Sequence, residues 1–103
     1  MPSVVSNQLL DIDETTKLLV IASKHIGQVE IIIDADMAVF VLSHPWCWDA
    51  QHHKAYSFVN GKKLYLHKHL AEMMHRDRAV GYVSVAEQKQ NDYRKQNLFI
   101  RFV

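Results

Sequence analysis

Seven histidines are the first residues in this sequence that could do chemistry: His25, His44, His52, His53, His67, His69 and His75. Neutral imidazole is a common metal ligand and titrates near neutral pH, so it serves as base or acid. His67 and His69 are two apart. On a strand both rings would leave one face, as a metal site needs; on a helix they would diverge. No acidic residue stands at ligand spacing beside them. The residue types therefore favour hydrogen-bonding histidines over a metal site, and no cofactor is expected. The single cysteine, Cys47, has no partner for an internal disulfide.

Positive charge is the second chemical signal. Lys54, Lys62, Lys63 and Lys68 surround an Asn60-Gly61 turn, and Arg94, Lys95 and Arg101 follow near the end. A lysine-bearing hairpin can lie along a phosphate backbone, although hairpin tips also carry solvated lysines. Trp46, Trp48, Tyr56 and Phe58 would stack on bases if exposed, and at alternating spacing they belong equally well in a core. Residues 1–53 hold seven acids against two bases, a net −5; residues 54–103 hold ten bases against four acids, a net +6. The split either marks a nucleic-acid face or lets the halves neutralise each other across the fold. The overall charge of +1 is low for a nucleic-acid-binding domain.

These residues need elements to hold them. Residues 1–16 are acidic and aperiodic and read as an N-terminal arm; 17–103 read as a single domain. "KLLVIAS" (17–23) and "QVEIIID" (28–34) are rich in β-branched residues and predict two strands about a turn at 24–27, with a helix over 14–25 as the competing reading. Residues 34–45 begin with Asp34 and Asp36 as candidate caps, carry Met37 and Val41 at helical spacing, and end at Pro45, predicting a short helix. "WCWD" and "KAYSFV" alternate as strands, and Asn60-Gly61 closes a hairpin. Residues 64–76 begin as strand and become a helix with Leu66, Leu70, Met73 and Met74 on one face. "AVGYVSV" (79–85) and "NLFIRFV" (97–103) are closing strands, joined by a polar segment that is either a short helix or a long loop. The predicted class is α+β: a small antiparallel sheet, two helices, and a ββα-like unit at the C-terminus. No apolar run reaches the ~20 residues of a membrane span, and the acidic N-terminus is unlike a signal peptide. A cytoplasmic protein is expected.

The order of these pieces resembles the phage-type HNH endonucleases of the His-Me finger group. The likeness runs over about residues 29–100: Asp34 and Asp36 before a short helix, then Trp46 or Trp48, then Lys54-Ala55-Tyr56, then Gly61-Lys62-Lys63 leading to Leu66-His67-Lys68, and last Asp92-Tyr93-Arg94-Lys95-Gln96-Asn97-Leu98. In that family an aspartate binds the divalent cation and a histidine deprotonates water. The resemblance places Gly81 and Tyr82 at those two positions. Glycine offers no ligand, and a phenol with an ordinary pKa near ~10 is a poor base at neutral pH. Asn97 is kept; the family's last helix has no counterpart before Val103. The resemblance thus implies a degenerate, truncated copy with vestigial positions Gly81, Tyr82, Asp92, Arg94 and Asn97, and no phosphodiester cleavage.

The function expected on this basis is a non-catalytic binding protein of phage origin. It would act as a stoichiometric inhibitor, of anti-CRISPR or anti-restriction type, on a nucleic-acid-acting defence system of the bacterial host, by covering a host protein or nucleoprotein surface. The acidic first half of the chain, with Asp34 and Asp36 as candidate binding residues, would face a basic nucleic-acid channel. The alternative is a DNA- or RNA-binding remnant gripping phosphates through Lys54, Lys62, Lys63, Lys68, Arg94, Lys95 and Arg101. An active metal nuclease is the third and weakest reading. The sheet face that the last helix would cover, with Phe99 and Phe102 or their neighbours, is the expected partner or homodimer surface.

Overall fold

The computed structural model describes residues 7–23 and 27–103. The protein is α+β, with three small antiparallel sheets and two helices. The first sheet joins β1 (Asn7–Asp11), β2 (Thr16–Ser23) and β3 (Gly27–Asp34) in that order. Period-two alternation decides its faces. Leu9, Leu19 and Ile31 stand in one row across the three strands, and Leu19, Ile21, Val29, Ile31 and Ile33 are buried on the inner face. The β-branched runs thus form strands, and the helical alternative over 14–25 is not adopted. Within the segment read as an arm, Asn7–Asp11 is the outer strand of this sheet. The turn expected at 24–27 lies, but for Gly27, outside the described residues.

After β3 the chain makes one 3-10 turn (Ala35–Met37) and a four-residue helix, α1 (Ala38–Val41), which buries Met37 and Val41 as their spacing predicts. The helix stops well before Pro45. Trp46, fully buried, donates its indole N–H to the Val41 carbonyl at 2.5 Å, and the Ser43 hydroxyl donates to Phe40 O at 2.6 Å, satisfying carbonyls that another turn would have used. The expected acidic cap is also corrected: Asp34 sits at the N-cap position without capping, because its carboxylate accepts the Lys95 backbone N–H instead (2.8 Å). Asn7 clamps β1 to the next element by bonding both the N–H and the C=O of Trp46.

The second sheet holds β4 (Cys47–Asp49), β5 (Lys54–Val59) and β6 (Lys62–Tyr65). Asn60 and Gly61 both have positive φ, 52° and 78°, as a two-residue type I′ hairpin requires. Strand β6 runs directly into α2 (Leu66–Met74), whose Leu66, Leu70 and Ala71 are buried and whose Met73 and Met74 pack against the core. The third sheet is the hairpin of β7 (Val80–Val85) and β8 (Leu98–Phe102). Its inner residues Val83, Val85 and Leu98 join the core. The strands therefore fall into three ladders and not one sheet, because a helix follows β3 and another follows β6, and each breaks the hydrogen-bonded run.

The polar segment between β7 and β8 is two 3-10 turns, Glu87–Lys89 and Lys95–Asn97, about a loop docked on the first sheet. Ile32 N–H donates to Asn91 O and Tyr93 N–H donates to Ile32 O, each at 2.8 Å. Tyr93 is carried into the core, where its hydroxyl oxygen accepts the Ala55 N–H and burial pushes its pKa up to about 12.

Candidate functional site

Asp92, Arg94 and Asn97 brace the loop that carries Tyr93. Asp92 is 4% exposed; its carboxylate accepts the Arg94 N–H and Nε at one oxygen and Nη2 at the other (2.6 Å). Bonds from Arg94 hold the Asp92 carboxyl below the usual range. Asn97 Nδ2 donates to the carbonyls of Lys89 and Asp92, closing the turn from inside. Every polar group of this trio that these bonds involve faces its own loop.

Gly81 and Tyr82 stand elsewhere. A β-bulge interrupts the β7–β8 register between Val80 and Tyr82. A Cβ built on Gly81 would lie 3.1 Å from the Arg101 carbonyl oxygen, so even the first atom of an aspartate crowds backbone there. Tyr82 is 67% exposed and lines one cleft, whereas Asp92 and Arg94 line a different groove with Leu18 and Ile32.

Three of the seven bases singled out in the sequence are paired. Lys63 bonds Asp49 (3.0 Å) and lies over the Tyr56 ring, Arg94 bonds Asp92, and Lys95 bonds Asp36 (3.0 Å) while its backbone binds Asp34. Asp34 and Asp36 therefore meet Lys95, and the acidic and basic halves of the chain join here and at Asp49–Lys63. Lys62, Lys68 and Arg101 are exposed. Lys54 bonds an uncharged partner, Gln90 Oε1, at 3.1 Å. The four aromatics split as well: Trp46 is fully buried, Trp48 and Tyr56 are half-buried, and Phe58 is exposed.

His67 and His69 lie on α2 and diverge. His67 packs on Tyr65 and Tyr93; His69 packs on His44 and Trp46. Burial lowers the pKa of both, His67 to about 4, with the Lys54 charge acting in the same direction on His67. Among the described residues no three His, Cys, Asp or Glu side chains gather as a metal site would require. Burial raises the pKa of the Cys47 thiol.

The arrangement with most chemical capacity forms around Asp49, at the end of β4. Asp49 is 8% exposed. Its Oδ1 accepts the N–H groups of Gln51 and His52, fixing the turn into β5. Its Oδ2 accepts from His52 Nδ1 (2.8 Å), Lys63 Nζ (3.0 Å) and, at 3.5 Å, the Tyr65 hydroxyl. Bonds from His52 and then Lys63 hold its carboxyl well below the usual range, so it is ionised and only accepts. His52 must then carry a proton on Nδ1, leaving Nε2 free on a side chain that is 56% exposed. His52, Lys54, Tyr65, His67, Tyr82, Ser84 and Gln90 share a cleft of about 540 Å³ with Val83 and Val85. The sequence reading counted His52 among the histidines without pairing it with Asp49, and passed over Gln90. The legible signal was Asp-x-x-His at 49–52, the spacing of an aspartate that closes a turn on its own histidine.

The hairpin's outer face is open. Tyr82, Ser84, Phe99 and Arg101 share it, with Tyr82 and Phe99 both more than half exposed. Phe102 does not: three residues from Phe99 on a strand, it points the other way and packs on His75 and beneath Arg78. Phe99 and Phe102 therefore do not share a face, and the exposed aromatics of the outer face are Tyr82 and Phe99. No helix among the described residues is long and apolar enough to cross a membrane. Comparison with family models, with curated proteins and with solved structures returns no match.

Proposed function

We propose that this chain is a non-catalytic binding protein on an HNH-like scaffold. In this reading it is of phage origin and acts in the host cytoplasm. It blocks a nucleic-acid-acting defence protein by stoichiometric occupation of its surface. The observation that carries the reading is Gly81. The position matched to the family's metal-binding carboxylate is a glycine in a bulge, where the first side-chain atom would lie 3.1 Å from the Arg101 carbonyl oxygen. Its neighbour Tyr82 is an exposed phenol on an open sheet face beside Phe99, suited to contact and unsuited to activating water. Asp92, Arg94 and Asn97 support the same reading, since their bonds close on their own loop.

A second reading, a nucleic-acid-binding remnant, is favoured by Lys54, whose charge meets no carboxylate among the described residues. It is weakened by the pairing of Lys63, Arg94 and Lys95 with acids. One experiment separates them. Tagged protein is exposed to host lysate with and without nuclease treatment, alongside a Tyr82→Ser/Phe99→Ser variant. A stoichiometric protein complex that survives nuclease and is lost in the variant is the expected result. Recovery of nucleic acid alone, lost on treatment, would move the assignment to the second reading. Metal-dependent nicking of plasmid by purified protein, abolished by Asn97→Ala, would overturn both.

A further inference from the structure

The cleft above Asp49 has a composition that protein-surface binding does not require. Among the described residues no carboxylate lines it. Lys54 is held in place without being neutralised. Gln90 donates its Nε2 to the carbonyls of Val85 and Ala86, which turns Oε1 toward the Lys54 ammonium. The amide therefore aims the charge and leaves its full +1 available to a ligand. His52 is aimed in the same way, since Asp49 fixes Nδ1 and leaves Nε2 free. Ser84, Tyr65 and Tyr82 also line it, adding a hydroxyl side chain and two aromatic ones. The volume of about 540 Å³ is within the range of small-molecule sites.

We propose that this cleft binds a phosphate group joined to a flat ring, the chemistry of a nucleotide. Lys54 takes the phosphate oxygens, His52 adds an Nε2–H bond to them when its ring carries a second proton, and the exposed Tyr82 ring stacks on the base. Charge-assisted bonds to a phosphate are the strong polar contacts available here, and an aromatic face accepts any base. Gln90 and Asp49 act as positioning residues, Gln90 for Lys54 and Asp49 for His52. The inference rests on the cleft's own residues and not on the HNH likeness, so it stands or falls separately from the protein-blocking role.

The test is titration of the intact protein, followed by aromatic proton resonances. The probes are inorganic phosphate, a ribonucleoside, its 5′-monophosphate, and a single-stranded hexanucleotide. The expected result is saturable binding of the monophosphate, with His52 and Tyr82 resonances shifting, about ten-fold tighter than either phosphate or the nucleoside alone. Lys54→Gln, with unchanged Trp46 resonances showing an intact core, weakens the monophosphate about ten-fold. Tyr82→Ala weakens it about five-fold and leaves inorganic phosphate unaffected. A hexanucleotide that binds more tightly than the monophosphate assigns the site to a strand; equal affinity assigns it to a free nucleotide, and both support the shared chemistry. Absence of saturable binding up to about 10 mM at low salt, or a Lys54→Gln affinity equal to wild type, overturns the proposal.

Discussion

Asp49 and Asp92 are both buried carboxylates that bond backbone N–H groups close after them in sequence and hold a cation. Their consequences differ. Asp92 turns Arg94 back onto its own loop, and that loop seats Tyr93 in the core. Asp49 holds His52 and Lys63 from below, leaving His52 more than half exposed. A buried carboxylate paired with a half-buried arginine is a brace; one paired with an exposed histidine presents a reactive ring. Asp92, Arg94 and Asn97 turn their polar groups inward, whereas Asp49 holds His52 at the rim of a cleft.

The sharpest break in the comparison is removal of the brace. Asp92→Ala leaves Arg94 unpaired and should cost about 3–4 kcal/mol of unfolding free energy in urea titration, without changing the His52 and Tyr82 resonances in the folded protein. Acid comes next. His67, which lines the cleft and packs on Tyr93, has its pKa lowered from 6.5 to about 4. The unfolded chain therefore takes up that proton first, so its contribution is complete above pH 6.5 and disappears as pH falls toward 4. Stability should drop by about 3 kcal/mol across that window, and His67→Gln should flatten the drop. His69 adds to the slope in the same direction.

Asp49→Ala comes third. It releases the turn, Lys63 and His52, and should cost about 2 kcal/mol, less than Asp92→Ala because solvent can take over its partners. Gly81→Ala follows at about 1 kcal/mol, the result of pressing a methyl group against the Arg101 carbonyl. A stabilising Gly81→Ala would show that the bulge has room for a side chain. Tyr82→Phe is the smallest: on an open face it should change stability by less than about 0.5 kcal/mol.

Much of the scaffold was legible because its signals are local. Alternation at 17–34, the Asn60-Gly61 turn and the apolar face of 66–74 all depend on neighbours within a few residues. The single sheet was misjudged because ladder continuity depends on where helices interrupt it, which periodicity does not encode. The Asp34 cap failed for a related reason: its partner, Lys95, lies 61 residues away. The Arg94–Asp92 brace joins residues only two apart, so it too is a local signal. The cleft was not legible, since Lys54, Tyr82 and Gln90 meet only through the tertiary fold, although Asp49 and His52 are local enough to have been paired.

The most direct test of the central contrast is ligand affinity in two matched variants, Asp49→Asn and Asp92→Asn, titrated with a nucleoside 5′-monophosphate well below their unfolding midpoints. The account predicts that Asp49→Asn, which loses the orientation of His52, weakens binding about ten-fold, while Asp92→Asn lowers stability and stays within about two-fold of wild type. Loss of binding in Asp92→Asn with retention in Asp49→Asn would contradict it, and would place the working site back on the nuclease-like residues.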